Sequence, residues 1–133
     1  MDLGLESGLR EQCAGFSERT GIPVQFESEG ESTQPAADVA LCFYRVAQEC
    51  LHNIAKHACA TNVRMMLSNG EGNYTLRIED NGQGFEPSGA KGKNSLGLIK
   101  MQERARLLNG KFTIQSEPGK GTTLEVSVGL KTI

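Results

Sequence analysis

The chain has 133 residues, with 38% apolar and 23% charged, so it is one domain of soluble globular composition able to bury a core without disulfide staples. Fourteen Lys and Arg against sixteen Asp and Glu leave a net charge of -2, which argues against a non-specific binder of nucleic acid or of membrane surfaces. No apolar run nears the roughly 18 residues that span a bilayer, and residues 1–10 lack the basic and apolar regions of a signal peptide.

Leu5, Leu9, Cys13 and Phe16 recur at helical spacing, which predicts a helix over residues 3–19 closed by Gly21. Ile22, Val24 and Phe26 alternate with polar residues as a half-buried strand does. Residues 27–37 are polar and aperiodic and are expected to be a loop. A second helix is expected over 38–58. At about 100° per residue, Ala40, Tyr44, Ala47, Leu51, Ile54, Ala55 and Ala58 form its core stripe, and Glu49, Asn53 and Lys56 cluster on the opposite side. That side carries a carboxylate, an amide and an ammonium in a row, where an ordinary helix would carry a merely solvated face.

Val63, Met65 and Leu67 alternate, a turn falls at 69–72, and Tyr74, Leu76 and Ile78 alternate again. Residues 81–95 are rich in Gly, Ser, Asn and Lys and look like a mobile loop. Leu98, Met101, Ala105 and Leu108 predict a third helix ended by Gly110. Phe112 and Ile114 begin another strand, 118–121 make a turn, and Leu124, Val126, Val128 and Leu130 mark the last strand. Three helices on one face of a mixed sheet, a two-layer α/β sandwich, would bury these stripes.

The cysteines Cys13, Cys42, Cys50 and Cys59 form no C-x-x-C pair and are expected to be buried free thiols. Cys50, His52, His57 and Cys59 resemble a zinc set only in composition, because on a helix they point in different directions. His52 reads as a partly exposed helix residue.

Chemistry concentrates at four places. Glu49, Asn53 and Lys56 share one helix face. Asp80 ends a strand with the inward parity of Tyr74, Leu76 and Ile78, and an inward carboxylate requires a donor. It is followed by Asn81-Gly82-Gln83-Gly84, whose glycines permit close backbone approach; the plain alternative is a hairpin turn at Asn81-Gly82. The third place is Leu96-Gly97-Leu98, at a helix start suited to anions. The fourth is the Gly119-Lys120-Gly121-Thr122-Thr123 run before the last strand.

These four segments, in this order, resemble the boxes of the catalytic, ATP-binding domain of two-component sensor histidine kinases. That domain belongs to the ATPase superfamily that includes gyrase B, heat-shock protein 90 and MutL. Glu49-Cys50-Leu51-His52-Asn53-Ile54-Ala55-Lys56-His57-Ala58 is similar to the N box. Asp80 to Phe85 is similar to the first glycine box, Leu96-Gly97-Leu98 with Met101-Gln102-Glu103-Arg104-Ala105 to the second, and Gly119 to Thr123 to the third. The flanks Glu18-Arg19-Thr20-Gly21-Ile22 and Glu103-Arg104-Ala105 with Leu108-Asn109-Gly110 look most like the subfamily paired with LuxR-type response regulators.

The resemblance implies the Bergerat ATP-binding fold, with ATP and Mg²⁺ as cofactors. It implies that Asp80 accepts from the adenine amino group, that Gly82 and Gly84 let the backbone pass the base, and that Asn53 holds Mg²⁺. It further implies that Lys56 and His57 face the phosphates, that Gly97 and Leu98 offer N–H groups to them, and that Thr122 supports Asp80 or a water at the adenine. Glu49 would be the catalytic acid/base group, and residues 85–95 the ATP lid. Ser95 stands where the second box usually has a further glycine and is expected to cap the helix. A phosphoacceptor His box is absent. The implied partner is therefore a histidine on a separate dimerisation domain, with a response regulator downstream, and residues 1–21 would be the connection to that domain. The domain alone is expected to be a cytoplasmic monomer without membrane contact, and the parent kinase a homodimer, free or anchored in the inner membrane. Two alternatives compete: an anti-sigma-factor type of Ser/Thr kinase, disfavoured by the Arg-Thr-Gly-Ile flank and the Arg104 region, and a degenerate interaction module, disfavoured by intact Glu49, Asn53, Asp80 and Gly82.

Overall fold

The computed structural model describes residues 4–30, 35–70, 72–83 and 93–129, with the side chains of residues 57, 58 and 93–96 outside that description. The element order is α1 (Gly4–Thr20), β1 (Val24–Gly30), α2 (Ala37–Asn53) continued by a π-helical turn (Ile54–Ala58), β2 (Val63–Gly70), β3 (Asn73–Asp80), α3 (Lys93–Arg106), β4 (Lys111–Ser116) and β5 (Thr122–Gly129). The strands form one sheet in the order β1-β2-β3-β5-β4. β1 pairs parallel with β2, and the other pairs are antiparallel. Helices cover one face of this mixed sheet, as the stripes required.

The strands place Val63, Met65, Tyr74, Leu76, Ile78, Leu124 and Val126 in the core beneath Leu9 and Phe16 of α1, Phe43 and Val46 of α2, and Met101 of α3. The alternate positions carry charge: Arg64 pairs with Glu27 and Glu79, and Arg77 pairs with Glu79. This contrast fixes which sheet face the helices cover. Within residues 1–21, expected as a connection, α1 (Gly4–Thr20) is part of the helix layer, because its Leu5, Leu9, Cys13 and Phe16 are all buried.

α1 ends as the sequence predicts. Gly21 sits at φ +78° and its N–H donates to the Ser17 carbonyl at 2.7 Å, a left-handed helix stop. At the end of α3 the left-handed residue is Asn109, at φ 58°, and Gly110 serves a different need. A Cβ at Gly110 would stand 2.7 Å from the Ser127 carbonyl oxygen, so the glycine lets the chain pass against β5.

Three expectations are corrected. Residues 27–30 belong to β1, because parallel pairing with β2 continues to Gly30↔Asn69 and outweighs the polar composition. The second helix loses α-winding after Asn53, and the π turn changes the angular phase, which leaves Ala55 exposed rather than in the core. Its buried residues are instead Cys42, Phe43, Val46, Ala47, Cys50, Leu51 and Ile54. At about 100° per residue this arc is centred some 70° from the expected stripe, turned toward Glu49. The reason is that α2 is the middle helix of its layer and packs on both α1 and α3 as well as on the sheet. Ala58 and Leu130, expected in the core, lie outside the described side chains and residues respectively.

Cys13, Cys42 and Cys50 are buried free thiols, whereas Cys59 is exposed at φ 54° after the π turn. Burial pushes the Cys13 thiol up to about 11. It also raises Cys50, which the negative charges of Asp80 and Glu49 raise further, so this thiol beside the site stays protonated and inert.

Candidate nucleotide site

The site forms where the helix layer meets the ends of β3 and β5. Asp80 is the last residue of β3 and is half-buried, with its parity shared by the buried Tyr74, Leu76 and Ile78. Its Oδ1 accepts a hydrogen bond from the backbone N–H of Gly82 at 2.7 Å. That is the internal donor an inward carboxylate needs, and it turns the chain sharply away from the strand. Burial nevertheless pushes the Asp80 carboxyl above its usual range, and the Gly82 N–H only partly opposes this. Oδ2 accepts no hydrogen bond from the described residues.

Asn81 ties this strand end to the end of the π turn. Its Oδ1 accepts from the backbone N–H groups of Thr61 at 2.9 Å and Asn62 at 3.0 Å, and its Nδ2 donates to Thr61 Oγ1 at 2.9 Å. The Asn81-Gly82 pair thus anchors the first glycine box to the segment after the N-box helix and does not close a hairpin. The turn before β5 docks on the same box, because the Gly119 N–H donates to the Gln83 carbonyl.

Glu49 and Asn53 are half-buried at the margin of the α2 core arc, not on a solvated face. Lys56, on the π turn, is exposed. The first half of α3 lies over the two polar side chains: a Cβ at Gly97 would stand 3.0 Å from Glu49 Oε2 and 3.2 Å from Asn53 Nδ2. Gly97 therefore lets α3 close on the pair that the N box supplies. Both neighbours are side-chain ends that can shift, so Gly97→Ala is expected to leave thermal stability within about 1 kcal/mol, the Ala helix preference offsetting the crowding. Displacement of Glu49 and Asn53 should cost any chemistry that depends on this pair tenfold or more, since misplacements of about 1 Å can cost a hundredfold. Thermal melts set beside an activity assay check the split.

α3 corrects three expectations. It begins at Lys93, so residues 93–95, expected in the lid, form its first turn, and Ser95 lies inside the helix rather than capping it. Gly97 and Leu98 then sit in its second turn, beyond the four N–H groups that a helix leaves open, and in this conformation are not placed to offer those groups to phosphate. Gly84 and the expected lid residues 85–92 lie outside the described residues, as does the His57 side chain. His52 is exposed.

Thr122 is the cross-strand partner of Asp80, and Ser116 the partner of Thr122. Gly121, at φ +82°, packs flat on the Asp80 main chain, where a Cβ would stand 2.3 Å from the Asp80 carbonyl oxygen. The Gly119–Thr123 segment thus packs against the main chain of Asp80. Sequence reasoning does not single out Asn81, Gly121 or Ser116 individually. For Ser116 a signal exists, because it continues the period-two parity of Phe112 and Ile114.

Residues 38–132 match the family model described as Histidine kinase-, DNA gyrase B-, and HSP90-like ATPase. This chain belongs to that ATP-binding family. It is 36% identical over 131 residues to the signal transduction histidine-protein kinase/phosphatase DegS of Brevibacillus brevis, covering 98% of this chain and 34% of DegS. It is 38% identical over 125 residues to the sensor histidine kinase MctS of Rhizobium johnstonii, covering 92% of this chain and 27% of MctS. The chain thus spans about a third or less of the relatives it matches. The Acinetobacter baumannii histidine kinase AdeS shares the fold, with a TM-score of 0.75 at 15% identity over 96% of this chain and 64% of that one. Among the described residues no helix is long and apolar enough to cross a membrane.

Proposed function

We propose that this chain is the catalytic module of a sensor histidine kinase, which binds Mg²⁺·ATP and passes the γ-phosphoryl group to a histidine on a separate dimerisation domain. One observation carries this reading: the Asp80 carboxylate and the half-buried Glu49–Asn53 pair, over which Gly97 closes, both lie beside the buried Cys50. The kinship to DegS and MctS supports it.

The donor set fits the ligand. Asp80 Oδ2 suits an exocyclic amino group, and the Asn53 amide oxygen suits a hard cation that retains water ligands. Lys56, exposed at the helix end, adds positive charge for the phosphates. A bound Mg²⁺ would neutralise charge on the phosphate oxygens. The chain's own contribution is positioning: Asp80 sets the base, Asn53 and Lys56 the phosphates, and Gly97 allows α3 to shield Glu49. In transfer, an imidazole nitrogen attacks the γ-phosphorus, the bond to the bridging oxygen breaks to release ADP, and Glu49 takes the imidazole proton. A LuxR-type response regulator would receive the phosphoryl group next. The module alone would be monomeric and cytoplasmic, within a homodimeric parent.

Mixing the chain with a His-containing dimerisation domain and γ-labelled ATP tests this reading. Labelled histidine is expected with the native chain, and Glu49→Gln should lower transfer 10²–10⁴-fold, the usual weight of a general base, while ATP affinity changes less than about twofold. Transfer intact in Glu49→Gln would remove Glu49 from the chemistry. Label on a serine of an anti-sigma antagonist instead of a histidine would reassign the substrate.

A further inference from the structure

At the last residues of β3 the core changes character. The row Ile78↔Leu124↔Ile114 is apolar across β3, β5 and β4, and the next row on the same face, Asp80↔Thr122↔Ser116, is entirely polar. Cross-strand partners share a face, so these three side chains line one end of the nucleotide site.

Their hydrogen bonds constrain where the hydroxyl protons lie; the Ser116–Thr122 contact itself admits either hydroxyl as donor. Ser116 Oγ is 3.1 Å from the Gly121 carbonyl oxygen, which can only accept, so the Ser116 proton goes there. Ser116 Oγ is also 2.8 Å from Thr122 Oγ1. With the serine proton on the Gly121 carbonyl, Thr122 is the donor to Ser116 and keeps its lone pairs for other partners. The opposite arrangement would leave the carbonyl of the buried Gly121 without this donor. Asp80, with Oδ1 held by Gly82, also presents only an acceptor.

We infer that Ser116 is a positioning residue that holds Thr122 as an acceptor, so that this end of the site selects a 6-amino purine and rejects a 6-oxo purine. The inference rests on the ATP reading above. An amino group has two protons for two acceptors, whereas a 6-oxo oxygen would meet lone pairs on both sides. Rejection by mismatched polarity is the stronger half of such specificity. Without Ser116, Thr122 can rotate and donate to the 6-oxo oxygen.

Binding of ATP and of ITP to the chain with Mg²⁺, measured by calorimetry, tests this. Native protein should prefer ATP strongly. Ser116→Ala should shrink the ATP-to-ITP affinity ratio by about 5- to 10-fold, the weight of one hydrogen bond changing sign, chiefly by improving ITP. Ser116→Thr, which keeps the hydroxyl, should restore the native ratio. Thr122→Val should lower the ratio, and adding Ser116→Ala to it should change nothing more, because the serine acts only through Thr122. A loss of packing alone would weaken both nucleotides alike and leave the ratio unmoved. A ratio in Ser116→Ala within twofold of native, in protein that melts as native, overturns the inference while leaving the ATP site standing. Native protein that binds neither nucleotide overturns the ATP reading, and the inference with it.

Discussion

Asp80→Asn is expected to weaken ATP binding about a hundredfold while raising the thermal stability of the nucleotide-free chain at neutral pH. Both effects follow from the same half-buried carboxyl. An acceptor of full charge is worth roughly 1.5–3 kcal/mol to its donor, a factor of about 10 to 150. Asn keeps the oxygen that accepts from Gly82 but puts an NH2 group where Oδ2 stood, so a donor faces the adenine donor and the loss falls toward the upper end. Stability moves the other way because burial raises the Asp80 carboxyl above its ordinary value. The folded state then holds that proton more tightly than the unfolded state. Stability is greatest below the ordinary carboxylate value and declines as pH rises from there to the raised folded value. Above that window the ionised group costs stability, and Asn removes the cost. The difference in melting temperature between native and Asp80→Asn protein should therefore vanish toward acid pH. A melting temperature lowered at neutral pH, or ATP binding left intact, would contradict the role assigned to Asp80.

Gly121→Ala is expected to destabilise the domain by about 2–5 kcal/mol and to weaken ATP binding at the same time. An alanine at a left-handed position costs roughly 1–2 kcal/mol, and forcing a methyl into filled space costs about 1–3 more. Here the methyl meets backbone, the Asp80 carbonyl oxygen and the Asn81 Cα, neither of which can swing aside. Gly119 is the internal control. It has φ +83°, and a methyl added there would find nothing within 4 Å, so Gly119→Ala should cost only the conformational part, about 1 kcal/mol. Denaturant midpoints measure both losses, and calorimetry with ATP measures whether Asp80 has moved. Equal costs at the two glycines would mean that the contact with Asp80 carries no weight.

The inward placement of Asp80 is legible in the amino-acid sequence, because strand alternation alone turns it inward and chemistry then demands a partner. Its internal partner is not: the Gly82 N–H reaches back by a local turn that composition does not specify. Glu49 and Asn53 are legible as one face of a helix, since four residues return the helix to nearly the same angle. Their burial is not, because it depends on α3 closing over α2, a packing decision between elements some forty residues apart in the chain. The start of α3 is hidden for a related reason. Ser95 has the chemistry of a cap, but the helix winds further back, to Lys93.

Periodicity in this chain is enough for the element order, the sheet face that meets the helices, and the four segments that bear the chemistry, because those follow from local backbone geometry and the burial of apolar side chains. Tertiary contact alone decides the rest: the extension of β1 to Gly30, the wide buried arc of α2, and the polar row Asp80, Thr122 and Ser116. A strand partner, a covering helix and a hydroxyl proton's direction are each set by a neighbour distant in sequence, and a one-dimensional pattern carries no term for that neighbour.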